Sequence, residues 1–211
     1  SDQTENAIIN YIKHLKQTEG LENINLTWYG GEPLLQYKRV ISLAKRIEQL
    51  GLNINENLLI TNGYFFTPEI IKELVDAKIT EIQITLDGFK EIHDIRRPLA
   101  DGKGTFDTII ENLDNYYNSS FRDAFAIAIR VNIDNRNYKS FIDIYKWLND
   151  RYKSKRLIVY PGVVVLDEND CNASTCLSRN AVTDIVLDLF TKYGIITEEL
   201  YPDDVNIECM T

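Results

Sequence analysis

The feature of this sequence that most constrains its fold is a repeated pattern of short apolar strands and amphipathic helices. Residues 24–29 alternate apolar and polar side chains and run into Gly30, and residues 40–50 follow with apolar side chains at helical spacing. A second apolar run, 58–61, ends at Asn62-Gly63. Strands that alternate with helices predict a parallel sheet with right-handed crossovers. We therefore predict an α/β fold, either an open doubly wound sheet or an arc of a barrel.

Three more strands are predicted downstream, at residues 82–86, 125–133 and 157–166. A helix that ends near Gly20 precedes the first strand, so the predicted element order is α(βα)5. The polar stretch from Gly88 to Thr105 is long for a connection between a strand and a helix. We predict that it is a functional loop.

Composition excludes several classes of protein. A length of 211 residues predicts one domain, and a net charge of −9 disfavours nucleic acid as a partner. No apolar run is long enough to predict a membrane span, and the first residues lack the features of a signal peptide. The three cysteines are odd in number and close to the end of the chain, which does not fit a secreted disulfide framework. We predict a protein of the reducing cytoplasm.

The carboxyl ends of the predicted strands are where a ligand site is expected, because ligands bind there in parallel α/β folds. The first strand ends in Gly30-Gly31-Glu32-Pro33. Paired glycines let a ligand approach the backbone closely, and carbonyl oxygens beside a carboxylate suit an ammonium group. The sequence contains neither a dinucleotide-binding Gly-x-Gly-x-x-Gly nor a P-loop, so a nucleotide phosphate is not the favoured ligand.

The strand ends taken together resemble the radical S-adenosylmethionine (SAM) superfamily. The segment 28–33 is similar to the family's GGEP motif, and 61–63 and 85–88 are similar to its TNG and S/T-L-D-G strand ends. The segments 93–98 and 102–106 resemble the HDxxRP and GxGTF motifs of the peptide- and protein-modifying branch that includes anaerobic sulfatase-maturating enzymes. The resemblance implies a partial (β/α)6 TIM-like barrel of parallel strands, whose first strand and cluster loop are absent from this sequence.

The resemblance also implies which residues bind SAM. The backbone around Gly30 and Gly31, with Glu32, would receive the methionine ammonium. Thr85 and Arg97 would bind the methionine carboxylate and neighbouring polar atoms, because a guanidinium fork suits a carboxylate. Two asparagines would line the cavity, and the backbone near a tyrosine of the fifth strand would flank adenine. The full predicted set is Gly30, Gly31, Glu32, Pro33, Asn62, Thr85, Asp87, Arg97, Asn132 and Tyr160.

Structural alternatives exist for single members of this set. Asp87 is followed by glycine and is compatible with an ordinary turn, and Asn132 could cap a strand end. Arg97 could equally pair with Asp94 or Asp101 on a solvated loop. The functional interpretation therefore depends on the ordered set of motifs and not on any one residue.

The sequence departs from the family in its cysteines. It contains no Cys-x3-Cys-x2-Cys, the motif whose thiolates hold the 4Fe–4S cluster that chelates SAM. We therefore expect weak or undetectable SAM binding and no bound cluster in this chain alone, and we expect it to be inactive. Cys171 and Cys176 are compatible with ordinary loop thiols or with a metal site, whereas Cys209 lies where related enzymes begin a SPASM extension with auxiliary clusters. We interpret 1–195 as a truncated core domain and 196–211 as the start of a linker to that extension.

The implied function is reductive cleavage of SAM to a 5′-deoxyadenosyl radical and modification of a peptide or protein by hydrogen abstraction. The implied partners are that substrate and a flavodoxin- or ferredoxin-type electron donor, with no nucleic acid and no membrane. Two alternatives remain at this stage: a cluster-less module that binds SAM or a peptide, and a partial-barrel enzyme that uses Glu32 and Asp87 as an acid/base pair. Residues 24–29 would form an exposed sheet edge, which predicts a homo-oligomer through that edge or its pairing with a rearranged segment of the chain, such as the tail after Gly194.

Overall fold

The computed structural model describes residues 2–163, 177 and 179–195, and all three cysteines lie outside this part of the chain. Helices and strands alternate along most of it, as the sequence predicts. The helices are α1 (Asp2–Thr18), α2 (Tyr37–Glu48), α3 (Pro68–Asp76), α4 (Lys90–Arg96), α5 (Phe106–Tyr117), α6 (Phe141–Tyr152) and α7 (Arg179–Tyr193). The strands are β1 (Asn23–Trp28), β2 (Asn53–Thr61), β3 (Glu81–Leu86), β4 (Ala126–Ile133) and β5 (Leu157–Val163).

The five strands form one sheet in the order β1-β2-β3-β4-β5, and each neighbouring pair is parallel. Each strand therefore lies beside the next one along the chain, and all five carboxyl ends meet at one edge of the sheet. The prediction of an α/β fold with parallel strands is confirmed, and the arrangement matches an arc of a barrel.

The two faces of the sheet differ in character. Alternate residues of the central strands, including Ile82 and Ile129, are fully buried against the helices. A smaller core joins α1 and α2 to β1 through residues such as Ile12 and Leu26. Side chains alternate across a strand, so the opposite face carries the remaining positions, which are largely polar or small and half-buried in β3 and β4. The predicted site includes residues of that second face near the carboxyl ends of the strands.

The polar stretch between β3 and α5 differs from the prediction, because it contains α4. This helix has seven residues and buries His93 completely, so it presents too few apolar positions for helical spacing to reveal it. The remainder of the stretch, 97–105, is irregular backbone above the strand ends. None of the helices in the described residues is both long and apolar enough to cross a lipid bilayer.

Strand β1 lies at the edge of the sheet, where it pairs with β2 alone among the described strands. Asn25 and Thr27 are exposed and carry no charge that would discourage another strand from pairing there. We expect the chain to associate through this edge, so light scattering across a tenfold concentration range should show a mass increase. Hydrogen exchange at 24–29 should slow as the mass rises. A monomer with rapidly exchanging amides on β1 would contradict this prediction.

Candidate functional site

A cavity of about 280 Å³ opens at the carboxyl ends of the strands. It is lined by residues of β2, β3 and β4, by residues that directly follow β1 and β2, and by one residue of the segment after α4. Six of the ten predicted site residues line it, and Glu32, Pro33, Asp87 and Tyr160 do not. The lining residues are Tyr29, Gly30, Gly31, Ile60, Thr61, Asn62, Gln83, Thr85, Arg97, Arg130 and Asn132.

Glu32 lies beneath the glycine turn and connects it to the next strand. Its carboxylate accepts hydrogen bonds from the Leu34 amide at 3.0 Å, the Thr61 hydroxyl at 2.6 Å and the Asn62 amide at 2.8 Å. These bonds cap the short 3-10 turn that begins at Pro33 and fasten the end of β1 to the end of β2. The arrangement supports a positioning role for Glu32, in which it fixes the backbone of Gly30 and Gly31.

The glycine turn itself is open towards the cavity. Gly30 has a φ of +151°, a conformation that residues with a Cβ rarely adopt, and no atom lies within 4 Å of the position that a Cβ would take at Gly30 or Gly31. A ligand can therefore approach this backbone closely. Exposed carbonyl oxygens at such a turn suit an ammonium group.

Arg97 is held at the cavity by Asp87, and not by Asp94 or Asp101, the two partners that the sequence suggested. The Arg97 Nε lies 3.0 Å from Asp87 Oδ2, and Asp87 Oδ1 accepts a hydrogen bond from Asn132 Nδ2 at 3.0 Å. Asp94 instead accepts the backbone amides of Thr105 and Phe106, and Asp101 pairs with Lys103. The buried Asp87 carboxylate therefore positions two cavity residues, one from the loop and one from β4.

His93 connects the end of β3 to the segment that carries Arg97. The Asp87 amide donates to His93 Nδ1 at 3.2 Å, so the proton of the neutral ring is on Nε2. Nε2 lies 3.0 Å from the Thr105 hydroxyl, which in turn donates to the Arg97 carbonyl at 2.8 Å. This series of bonds holds both ends of the 97–105 segment on β3.

Protonation of His93 is expected to loosen this connection. Burial lowers the pKa of His93, Arg97 lowers it further, and Asp87 and Asp94 oppose the shift. Because the unfolded chain binds the proton more readily, the free energy of unfolding should fall as the pH drops below about 6.5, by up to about 1.4 kcal/mol per pH unit. Urea unfolding between pH 7.5 and 5.5 checks this, with His93→Gln expected to flatten the profile and the exposed His14→Gln to leave it unchanged. An equally steep profile in His93→Gln would contradict the prediction.

Arg130 and Gln83 are cavity residues that the sequence interpretation missed. Arg130 lies opposite Thr85 in the sheet register, and its buried Nε has no hydrogen-bond partner among the described residues. Gln83 lies on the same face of β3 and accepts a hydrogen bond from the Tyr160 hydroxyl at 2.7 Å. Both residues are two positions before a predicted site residue on the same strand. Because alternate residues of a strand share one face, counting back two positions from Thr85 and from Asn132 would have identified Gln83 and Arg130.

The charges of the cavity suit a ligand that carries a carboxylate. Two guanidinium groups, Arg97 and Arg130, line it, and in the described part of the chain no carboxylate side chain does. The Arg97 Nε also lacks an aligned hydrogen-bond acceptor, despite its contact with Asp87. Open backbone at Gly30 and Gly31 lies in the same cavity. A zwitterion such as the methionine end of SAM presents the two complementary groups.

No metal site accompanies the cavity within residues 2–163, 177 and 179–195. In these residues, no group of three or more His, Cys, Asp or Glu side chains is arranged to hold a metal ion. The predicted metal ligand Cys209 lies outside the described residues, as do Cys171 and Cys176. The described residues therefore fit SAM but offer no ligand set for a 4Fe–4S cluster.

Comparison with known proteins shows the family. The profile of the Radical SAM superfamily matches residues 2–148, so the chain belongs to this superfamily, as its motifs predict. It is 38% identical over 77 residues to mycofactocin maturase MftC of Mycolicibacterium smegmatis, which covers 35% of this chain and 19% of the relative. It is 30% identical over 102 residues to a serine-type anaerobic sulfatase-maturating enzyme of Klebsiella aerogenes, covering 46% and 25%.

A solved structure shares the fold. The native enzyme anSMEcpe, with bound AdoMet and a peptide, superposes with a TM-score of 0.72 at 20% identity. The superposition covers 92% of this chain and 51% of that one. The chain thus spans about half the length of this solved relative, and its matches cover a quarter or less of the two curated relatives.

Proposed function

We propose that this chain is the core of a radical SAM enzyme that cleaves SAM to a 5′-deoxyadenosyl radical and modifies a peptide or protein in the cytoplasm by hydrogen abstraction. The observation that carries the proposal is the cavity at the strand ends, which brings together Gly30 and Gly31 from the turn after β1, Thr85 from β3, Asn132 from β4 and Arg97 from the segment after α4. Membership of the superfamily supports SAM as the ligand.

The contacts in the cavity support a specific orientation of SAM. Arg97 and Arg130 would bind the carboxylate, with Thr85 between them on β3, and the Gly30-Gly31 backbone would accept the ammonium. Asn62 and Asn132 would contact the ribose side of the cavity. The adenine would then extend towards β5 and the backbone near Tyr160.

The cluster has to be held by residues outside the described part of the chain. A 4Fe–4S cluster would supply the electron that cleaves SAM. The sequence contains no Cys-x3-Cys-x2-Cys motif to provide the thiolate ligands of that cluster. The coding sequence before Ser1 should therefore encode a Cys-x3-Cys-x2-Cys motif. Its absence from roughly one domain's length of upstream sequence would remove the enzymatic claim and favour the alternative of a cluster-less module that binds SAM or a peptide.

The relatives support the proposal that the substrate is a peptide or protein. Two curated relatives are maturases, and the solved structure of anSMEcpe contains bound AdoMet and a peptide. We infer a peptide or protein substrate for this chain and a flavodoxin- or ferredoxin-type electron donor. Incubation of the reconstituted parent enzyme with dithionite, SAM and candidate peptides should yield 5′-deoxyadenosine only when the cluster is present. Cluster-independent release would contradict the proposed chemistry.

Replacing Arg97 is expected to weaken SAM binding at least tenfold, because a charge-assisted bond to the carboxylate is worth about 1.5–3 kcal/mol. Arg97→Lys should recover only part of the loss, since lysine keeps the charge but not the planar fork. Saturation-transfer NMR of SAM with each variant measures this. The exposed Arg39→Ala, whose ion pairs join α1 and α2, is the matched control. Equal affinities for Arg97→Ala and Arg39→Ala would exclude the proposed carboxylate contact.

A further inference from the structure

A second cavity of about 270 Å³ adjoins the first and has no role in the SAM site described above. The two cavities share Asn62 and Arg97, so a ligand in one lies within one side chain of a ligand in the other. The second cavity is enclosed by the segment after β2, the segment after α4 and the start of α5. Its remaining lining residues are Tyr64, Phe65, His93, Pro98, Leu99, Thr105 and Ile109.

Hydrogen bonds within the chain already engage several polar groups in the walls of this cavity. Both ring nitrogens of His93 are engaged, one with the Asp87 amide and the other with the Thr105 hydroxyl. The Thr105 hydroxyl donates its proton to the Arg97 carbonyl, and the Asn62 side-chain oxygen accepts the Tyr64 amide at 2.9 Å. Because burial keeps His93 neutral, it adds no charge to the wall. His93, the Thr105 hydroxyl and the Asn62 side-chain oxygen therefore offer a ligand few new hydrogen bonds.

The rest of the wall is apolar and partly aromatic. Tyr64 and Phe65 meet edge to face, with ring centroids 5.1 Å apart, and both are half-buried. Leu99 and Ile109 provide aliphatic surface. A volume of 270 Å³ corresponds to about nine water molecules at roughly 30 Å³ each, which is room for one large side chain. Binding would therefore depend on the burial of apolar surface.

We propose that this second cavity binds an aromatic or branched aliphatic side chain of the peptide substrate, close to the residue that is modified. The proposal rests on the proposed function and adds a specificity to it: peptides with a large apolar residue near the target are favoured. Adenine is a poor occupant, because its ring nitrogens and amino group need hydrogen-bond partners, and His93, the Thr105 hydroxyl and the Asn62 side-chain oxygen are already committed to other groups. Arg97 lines both cavities, and its guanidinium would serve the carboxylate of SAM in the proposed function.

The test uses small probes and a variant that fills the cavity. N-acetylphenylalaninamide, N-acetylglycinamide and adenosine are titrated separately into the 15N-labelled chain while amide shifts are followed. Leu99→Trp should block the cavity, since Leu99 is half-buried on a loop and its backbone bonds to Lys103 and Gly102 do not involve the side chain. Leu35→Trp is the matched control, because Leu35 is 60% exposed and does not line the cavity.

We expect the phenylalanine probe to bind saturably with a Kd on the order of millimolar and to shift Tyr64 and Leu99. Binding should be at least tenfold weaker to Leu99→Trp and unchanged in Leu35→Trp, and the glycine probe should not bind. Equal binding of the glycine probe, tighter binding of adenosine, or unchanged binding to Leu99→Trp would each overturn the proposal. So would the absence of saturable binding.

SAM titrated into the same samples separates this proposal from the proposed function. Shifts at Gly30 and Thr85 on addition of SAM, with no response to the phenylalanine probe, would reject the second cavity alone. A phenylalanine response that Leu99→Trp removes, with SAM-induced shifts elsewhere on the sheet and none at the strand ends, would reject the proposed function while the apolar site itself stands.

Discussion

Replacing Gly63 with alanine is expected to lower the free energy of unfolding by about 2–5 kcal/mol. Gly63 lies two residues after the end of β2 and has a φ of +79°, which costs a residue with a Cβ about 1–2 kcal/mol. The added Cβ would also lie 2.9 Å from Ile84 Cγ2 and 3.1 Å from Ile109 Cγ2. Both isoleucines are buried, so the core must shift, at about 1–3 kcal/mol. Urea unfolding followed by circular dichroism measures the loss.

Gly20→Ala is the matched control for this substitution. Gly20 has a similar φ of +68°, but nothing lies within 4 Å of its potential Cβ. The Gly20→Ala variant should therefore lose only the free energy that the positive φ costs, about 1–2 kcal/mol. The difference between the two variants isolates the contact with the core. Equal losses would show that Gly63 does not pack against Ile84 and Ile109.

Replacing Glu32 with alanine should cost about 2–4 kcal/mol of unfolding free energy and disorder the glycine turn. The substitution removes the acceptor of the Thr61 hydroxyl and of two backbone amides. Thr61 is buried, with 3% of its surface exposed, so water cannot readily replace that acceptor. Because these bonds fix Gly30 and Gly31, SAM binding should also be lost. Chemical denaturation gives the first effect, and amide shifts of the turn give the second.

The exposed Glu22→Ala controls for the loss of a glutamate near β1 and should change the unfolding free energy by less than about 0.5 kcal/mol. Glu32→Gln separates charge from shape, since it keeps one acceptor oxygen. It should retain part of the stability. A Glu32→Ala variant as stable as Glu22→Ala would mean that the carboxylate does not connect β1 to β2.

Local patterns were sufficient to predict the strands and to bring several of the predicted residues to one cavity at the strand ends. Alternation along β1 and β4 and the glycines after the strands follow from backbone geometry, and parallel pairing then brings the carboxyl ends together. Gly30, Asn62 and Thr85 could therefore be placed near one another from the sequence. These residues are all within a few positions of a strand end.

Contacts between distant segments could not be predicted in this way. Arg97 pairs with Asp87 and not with the nearer Asp94 or Asp101, because α4 turns the chain back over β3. His93 gave no sign of burial, since its neighbours in the sequence are mostly polar. Arg130 on a strand resembles an ordinary exposed position until the register places it beside Thr85. In each case the partner is determined by the fold and not by adjacent residues.

Mapping the site at which SAM binds tests directly whether the cavity at the strand ends is the SAM site. The 15N-labelled chain is titrated with SAM to millimolar concentration. We expect a Kd above one micromolar, which means a binding free energy weaker than about −8 kcal/mol. The reason is that the sequence lacks the cysteine motif for the cluster that would chelate SAM. The shifts should be confined to the residues around Gly30, Asn62, Thr85 and Asn132 and should disappear in Arg97→Ala. Shifts elsewhere on the sheet with none at these strand ends would contradict the assignment of the cavity.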